Sequence, residues 1–118
     1  MLKEIEDLGK AINRAFDHKD REDLKHCIAN GNRIESIAPL SPDERMTLYY
    51  FLGNAWSNLD ELSNYGKPEI WYYNREANIN AIKYFRKSIA VTESTPEFRV
   101  NIGVQAFTNI GNMFSSAG

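Results

Sequence analysis

The chain has very little cysteine: Cys27 is the only one among 118 residues. A single cysteine excludes an internal disulfide and a cysteine-rich zinc site, and it favours a reducing, cytoplasmic compartment. Long hydrophobic runs are lacking too, because the N-terminus is charged from Lys3 onward and no extended apolar stretch follows. The sequence therefore predicts neither a signal peptide nor a membrane span, and hence a soluble protein.

A large excess of charge of either sign is also missing. Fourteen Lys and Arg residues face sixteen Asp and Glu residues, which leaves a formal net charge of −2. Nucleic-acid binding would call for a basic field that this chain does not have, so no nucleic-acid partner is expected. The length fits one small domain that can bury a core of its own.

Proline is scarce, and its four positions, 39, 42, 68 and 96, divide the chain. Between them, apolar residues recur at a spacing of three to four, which is typical of amphipathic helices. No stretch alternates with period two for long enough to indicate a sheet. We therefore expect an all-α domain of about five helices in antiparallel pairs, joined by short loops.

The predicted helices have recognisable beginnings. Asp20 can cap the second helix, and Ser41-Pro42-Asp43-Glu44 is a capping box with proline at the first helical position. Gly31 interrupts the second helix at a cost of about 1 kcal/mol. The first expected helix covers residues 2–17, and the second begins at about 21 and has Ile37 on its apolar face. The third covers 42 to about 62 and is followed by a loop at 63–67. The fourth and fifth cover 68–92 and 95–118.

Two segments share a motif. Tyr49, Leu52, Gly53, Asn54 and Trp56 align with Phe107, Ile110, Gly111, Asn112 and Phe114. The shared pattern resembles the first helix of a tetratricopeptide repeat (TPR), W-x-x-L-G-x-x-Y. The segment 81–89 resembles the second helix of that repeat, with Ala81 and Phe85 at the family's spacing of four. The resemblance implies a TPR-like, right-handed superhelical array.

The spacing departs from the family, because Gly53 and Gly111 are 58 residues apart whereas a regular repeat has about 34. Lengthened helices and an extended loop explain the excess, and a plain helical bundle is the alternative. Residues 1–40 then form a degenerate first pair, 42–92 a second pair, and 95–118 the first helix of an incomplete third repeat. Because a solenoid end needs a cap or a neighbour, we expect a fragment of a longer protein.

The resemblance also implies a concave groove lined by first helices. Asparagine can donate and accept hydrogen bonds at once, so such a groove could bind a peptide backbone; alternatively, these side chains are only solvated. Some members of the family clamp a C-terminal carboxylate with lysine and arginine in this groove. Such a clamp is not expected here, because the matching positions, Thr47, Tyr50, Gln105 and Asn109, are not basic. The predicted groove residues are Tyr50, Asn54, Ser57, Asn58, Gln105, Thr108, Asn109, Asn112 and Ser116.

Nothing in the sequence points to catalysis, to a metal or to a cofactor. His18 and His26 are eight residues apart, whereas a zinc-protease helix needs two histidines four apart. Neighbouring His26 and Cys27 point about 100° apart on a helix and cannot form a nucleophile–base pair there. Two further features are candidate contacts at most: the aromatic run 71–73, and a mild basic patch of Arg75, Lys83, Arg86 and Lys87.

The sequence thus predicts a non-enzymatic interaction or scaffold module that binds a protein or peptide. One alternative is the N-terminal sensor region of a larger protein whose effector follows residue 118, and a HEPN-type ribonuclease is one candidate for that effector. Another is a homodimerisation domain that uses the uncovered last helix.

Overall fold

The computed structural model describes residues 3–37, 39–64 and 76–94, which form four α-helices and no strand. The all-helical prediction is confirmed, and the helix ends that can be compared agree within two residues. The expected start of the fourth helix at Pro68 and the whole expected fifth helix lie outside the described residues. The helices are α1 (Lys3–Asp17), α2 (Arg21–Ile37), α3 (Pro42–Asn64) and α4 (Glu76–Ser94).

The turn between α1 and α2 closes through a left-handed residue. Lys19 has a φ of 54°, and its amide donates to the Phe16 carbonyl at 2.9 Å. The Asp20 amide donates to the Ala15 carbonyl, also at 2.9 Å. These two bonds form a Schellman motif, in which glycine is the usual left-handed residue.

Side-chain caps begin the next helices as the sequence predicts. The Asp23 amide donates to Asp20 Oδ1 at 3.0 Å at the start of α2. At the start of α3 the capping box is complete: the Glu44 amide donates to Ser41 Oγ at 3.2 Å, and the Ser41 amide donates to Glu44 Oε1 at 3.0 Å. Each cap satisfies amides that the first turn of a helix leaves unbonded.

The apolar residues of the four helices form a main core cluster, and Ala81 and Phe85 of α4 form a second cluster. Ile37 was expected on the apolar face of α2, but it is 60% exposed, so its assignment to the core is wrong. It is the last residue of α2, where the helix ends before another turn could cover it. The buried residues of the main cluster are Ile5, Leu8, Ile12, Ala15, Leu24, Cys27, Ile28, Ile34, Leu48, Leu52, Ala55, Leu59 and Tyr84.

Consecutive helices pack antiparallel, and α3 is central to the arrangement. Within the described ranges α3 packs against α1, α2 and α4, whereas α1 and α4 do not pack against each other. Near its N-terminus, α3 accepts a hydrogen bond from Ser88 Oγ at the Met46 carbonyl (2.9 Å). One to two turns later Gly53 faces Phe85, so the chain directions of α3 and α4 oppose.

Three glycines mark the closest approaches between helices. A Cβ on Gly9 would lie 2.7 Å from Phe51 Cζ, and a Cβ on Gly31 would lie 2.5 Å from Leu52 Cδ2. The sequence suggested that Gly31 interrupts the second helix, but α2 runs through this residue. Because Gly31 has no side chain, Leu52 of α3 can pack directly against α2 there. Gly53 does the same for Phe85, whose Cδ1 would lie 2.5 Å from the added Cβ.

We expect Gly53→Ala to destabilise the protein by about 1–2 kcal/mol. Alanine gains about 1 kcal/mol of helix propensity, but overpacking a full core costs about 1–3 kcal/mol, and Phe85 is fully buried and has no room to move. Urea unfolding followed by circular dichroism measures the change. Gly9→Ala is the matched comparison and should cost less, because Phe51 is only partly buried and can shift.

The physical cause can be isolated with a second substitution. Phe85→Leu removes part of the ring that the new methyl group would meet, so Gly53→Ala should cost less in the Phe85→Leu background than in the wild type. Equal costs in the two backgrounds would contradict the steric explanation.

Lys19→Gly should stabilise the protein by about 1 kcal/mol, because a left-handed conformation costs about 1–2 kcal/mol for a residue with a Cβ and glycine adopts it freely. The exposed lysine side chain makes no hydrogen bond or ion pair that the substitution would remove among the described residues. Thermal unfolding would detect the gain. Lys10→Gly, in the middle of α1, is the control and should have the opposite sign.

Candidate protein-interaction site

Helix α3 has one side that is only partly covered by its three neighbours. Phe51 points to α1, Leu52 to α2 and Gly53 to α4. Between the sides that face α1 and α4 lies a row of residues at three-to-four spacing, which falls on one face of a helix. We call it the α3 row: Asp43, Thr47, Tyr50, Asn54, Ser57, Asn58 and Glu61.

Four of the nine predicted groove residues belong to this row. Tyr50 is partly buried, and its ring centroid lies 6.0 Å from those of Phe51 and Phe85. Asn54, Ser57 and Asn58 are partly exposed, and Asn54 already has an interaction within the fold. The other five predicted groove residues, in 105–116, lie outside the described residues.

Thr47 cannot contribute a contact surface, because it is 2% exposed. Its hydroxyl oxygen is buried and has no hydrogen-bond partner in the described part of the chain. Trp56 Nε1 is in the same situation, next to Ser57. Buried polar atoms of this kind are uncommon. The usable part of the α3 row therefore runs from Tyr50 to Glu61.

The α3 row carries no positive charge. Arg45 is the only basic residue of α3, and it lies on another side of the helix. Asp43 and Glu61 stand near the two ends of the row, with a tyrosine, two asparagines and a serine between them. This surface offers hydrogen-bond donors and acceptors in a neutral to acidic field.

On another side of α3, two tyrosines pack between three helices. The ring centroids of Tyr49 and Tyr84 are 6.2 Å apart. The Tyr84 hydroxyl donates to Asn32 Oδ1 at 3.2 Å, and the Tyr49 hydroxyl bonds to Glu35. Lys87 Nζ lies 5.4 Å and 5.1 Å from the two ring centroids. This tyrosine pair links α2, α3 and α4.

The environment raises the pKa of both phenols. Burial is the main cause for Tyr49, followed by the hydrogen bond to Glu35 and its negative charge, and together they raise the pKa of Tyr49 to about 12. Burial first, and then Glu35, also raise the pKa of Tyr84. The charged phenolate is disfavoured in both cases because it is desolvated and lies near a carboxylate.

Alkaline unfolding should report on this pair. A pKa that is raised in the folded state means that folding stabilises the protonated phenol, so this contribution is complete below about pH 10 and is lost as the pH rises toward 12. Ultraviolet difference titration should show a late tyrosinate step, and Tyr49→Phe should reduce its amplitude, with Tyr84 supplying the late titration that remains. A Tyr49→Phe titration whose late step keeps the full wild-type amplitude would contradict the assignment.

A surface cleft of about 320 Å³ lies between α1 and α2 and contains His26 and Cys27 beside Asp7, Arg14 and Asn30. Cys27 is buried, and burial, with the nearby Asp23 charge second, raises the pKa of its thiol. The thiolate is the reactive form of cysteine, and a raised pKa disfavours it. Cys27 therefore acts as a core residue and not as a reactive thiol.

Across the residues that the structure describes, no three His, Cys, Asp or Glu side chains are grouped to hold a metal ion.

None of the helices in residues 3–37, 39–64 and 76–94 has an apolar stretch long enough to cross a membrane. Comparison of the chain with protein-family models, with curated proteins and with solved structures finds no match.

Sequence reasoning missed the polar partners of the tyrosine pair. Tyr84 is buried and Tyr49 is partly buried. A buried tyrosine hydroxyl usually finds a hydrogen-bond partner, and this rule was the available signal. It could not identify Glu35 or Asn32, because these partners come from another helix.

Proposed function

We propose that the chain is a protein-interaction module of the TPR-like type, which binds a peptide segment along the α3 row. The observation that carries the proposal is this row: a helix face bearing hydroxyls and amides from Tyr50 to Asn58, partly exposed between the sides of α3 that face α1 and α4. Exposed polar side chains on such a face are available to a partner as well as to water.

The packing order supports the TPR-like part of the proposal. In helical-repeat arrays each unit contacts its neighbours only, and within the described ranges α1 and α4 do not pack together. Gly53 and Phe85, which carried the resemblance on the two helices of one repeat, lie directly against each other. This contact gives a physical reason for the small residue in the motif.

The geometry also suggests how a groove would form. Phe51 against Gly9 brings α1 beside α3, so the first helices of successive pairs are neighbours. A peptide lying along α3 would meet Tyr50 as an apolar contact, with Asn54 and Asn58 binding its backbone amides. The negative ends of the row favour a neutral or basic segment over an acidic one.

The sensor-region and homodimer alternatives concern sequence beyond residue 118 and the segment 95–118. Both lie outside the described residues, and no described contact favours either.

The test is selection of binding peptides from a displayed random library on the full chain, followed by measurement of their affinity for variants. Asn58→Ala combined with Ser57→Ala should weaken the selected peptides about tenfold or more, because a lost hydrogen bond within a binding site costs about 1–3 kcal/mol. The change should leave the unfolding temperature nearly unaffected, since both side chains are partly exposed.

Asn80→Ala on α4 is the matched control, since it removes an equally half-buried helical asparagine away from the α3 row. It should leave the affinity of the selected peptides unchanged. If the α3-row variant binds as tightly as the wild type, or if Asn80→Ala weakens binding equally, the proposed site is wrong.

A further inference from the structure

Helix α4 has a second surface that the groove does not use. Its buried side, which includes Ala81, Phe85 and Ser88, faces α3. The opposite side carries Ile79, Lys83, Arg86, Lys87 and Ala90 at helical spacing. We call these five residues the outer face of α4.

Within the part of the chain that the structure describes, no ion pair involves the positive charges on the outer face. The ion pairs there are Lys25–Glu22 and Arg33–Glu4, both on other helices. Two carboxylates are nearby. Glu76 lies two turns before Lys83, and Glu35 of α2, which bonds to Tyr49, lies beside the tyrosine pair that Lys87 contacts. Arg45 of α3 also lies near Tyr49 and adds a positive charge on that side.

Two of these cations are held in place by aromatic rings. Lys83 Nζ lies 5.5 Å from the Tyr84 ring centroid, and Lys87 Nζ lies over the same ring and over Tyr49. A cation over a ring face is attracted to it by about 0.5–1 kcal/mol at an exposed site. The contacts favour side-chain positions in which both ammonium groups lie on the outer side of α4.

The outer face also contains an apolar contact point. Ile79 is 50% exposed, one turn before Lys83 on the same side of the helix. A single exposed aliphatic residue is ordinary by itself. Here it extends a row of three cations, so the surface is both apolar and basic.

We propose that the outer face of α4 binds an acidic amphipathic peptide segment, whose carboxylates pair with Lys83, Arg86 and Lys87 and whose aliphatic residue packs on Ile79. The partner's charge follows from complementarity. A nucleic acid fits less well. The cations span only about 6 Å of helix axis, and lysines lie over the ring faces on which bases would stack.

The probe is a synthetic helix-forming peptide with glutamates beside a leucine stripe, labelled for fluorescence anisotropy with the full 118-residue chain. A matched peptide with glutamine in place of every glutamate tests the charge. A single-stranded oligothymidylate tests the competing class of ligand. We expect the glutamate peptide to bind and to weaken as salt is added, and the other two probes to bind at least about tenfold more weakly.

Lys83→Glu combined with Arg86→Glu should reduce glutamate-peptide binding about tenfold or more, since each attraction becomes a repulsion. Lys3→Glu combined with Lys10→Glu changes the net charge equally on exposed positions of α1 and should have little effect. Circular dichroism checks that each variant is folded. If the charge reversal unfolds the chain, Lys83→Gln with Arg86→Gln replaces it, with the same direction expected.

Ile79→Ser should also weaken binding of the glutamate peptide. This variant distinguishes an amphipathic contact from charge attraction alone. The proposal is overturned if the glutamine peptide binds equally, if oligothymidylate binds more tightly, or if the α4 and α1 charge reversals have equal effects. Asn58→Ala with Ser57→Ala should leave the glutamate peptide unaffected; a loss there would place its binding in the α3 row instead.

Discussion

The fold depends on the contact between Gly53 and Phe85. The ring lies where any side chain on residue 53 would have to be, so the axes of α3 and α4 can approach closely enough to bury Phe85 and Ala81 completely. That approach also sets the register in which Ser88 reaches the Met46 carbonyl. Once the register is set, Tyr84 lies beside Tyr49 and Lys87 lies over both rings. The positions of the outer face of α4 and of the α3 row both follow from this one contact.

Helix α3 carries three different surfaces around one axis, and their chemistry explains why they do not interchange. Leu52 and its apolar neighbours supply the free energy of burial. Tyr49, partly buried, needs a polar partner for its hydroxyl and finds it on α2. The side with Asn54 and Asn58 is polar and partly exposed, so its side chains can form hydrogen bonds with water or with a partner.

Local signals in the sequence were enough to predict the helices. The Ser41-to-Glu44 capping box, Asp20 and the apolar spacing each depend on residues within a turn or two of one another, and each is confirmed. Contacts between helices were harder to predict. The resemblance suggested close packing at Gly53, but Gly31 was misread as an interruption because its use depends on Leu52, which is 21 residues away. Ile37 was misassigned because periodicity does not say where a neighbouring helix stops covering the stripe. Four residues of the α3 row, Tyr50, Asn54, Ser57 and Asn58, were predicted from the resemblance, whereas the contacts of Lys83 and Lys87 with tyrosine rings had no sequence signal.

The central position of α3 has a mechanical consequence. Because α1 and α4 do not pack together within the described residues, a displacement of α4 reaches α1 only through α3, or through the Tyr84–Asn32 bond and α2. Helices α1, α2 and α3 pack against one another, whereas α4 joins this group through α3 and the Tyr84–Asn32 bond. A change in the position of α4 is therefore felt first at these two connections, before it reaches α1.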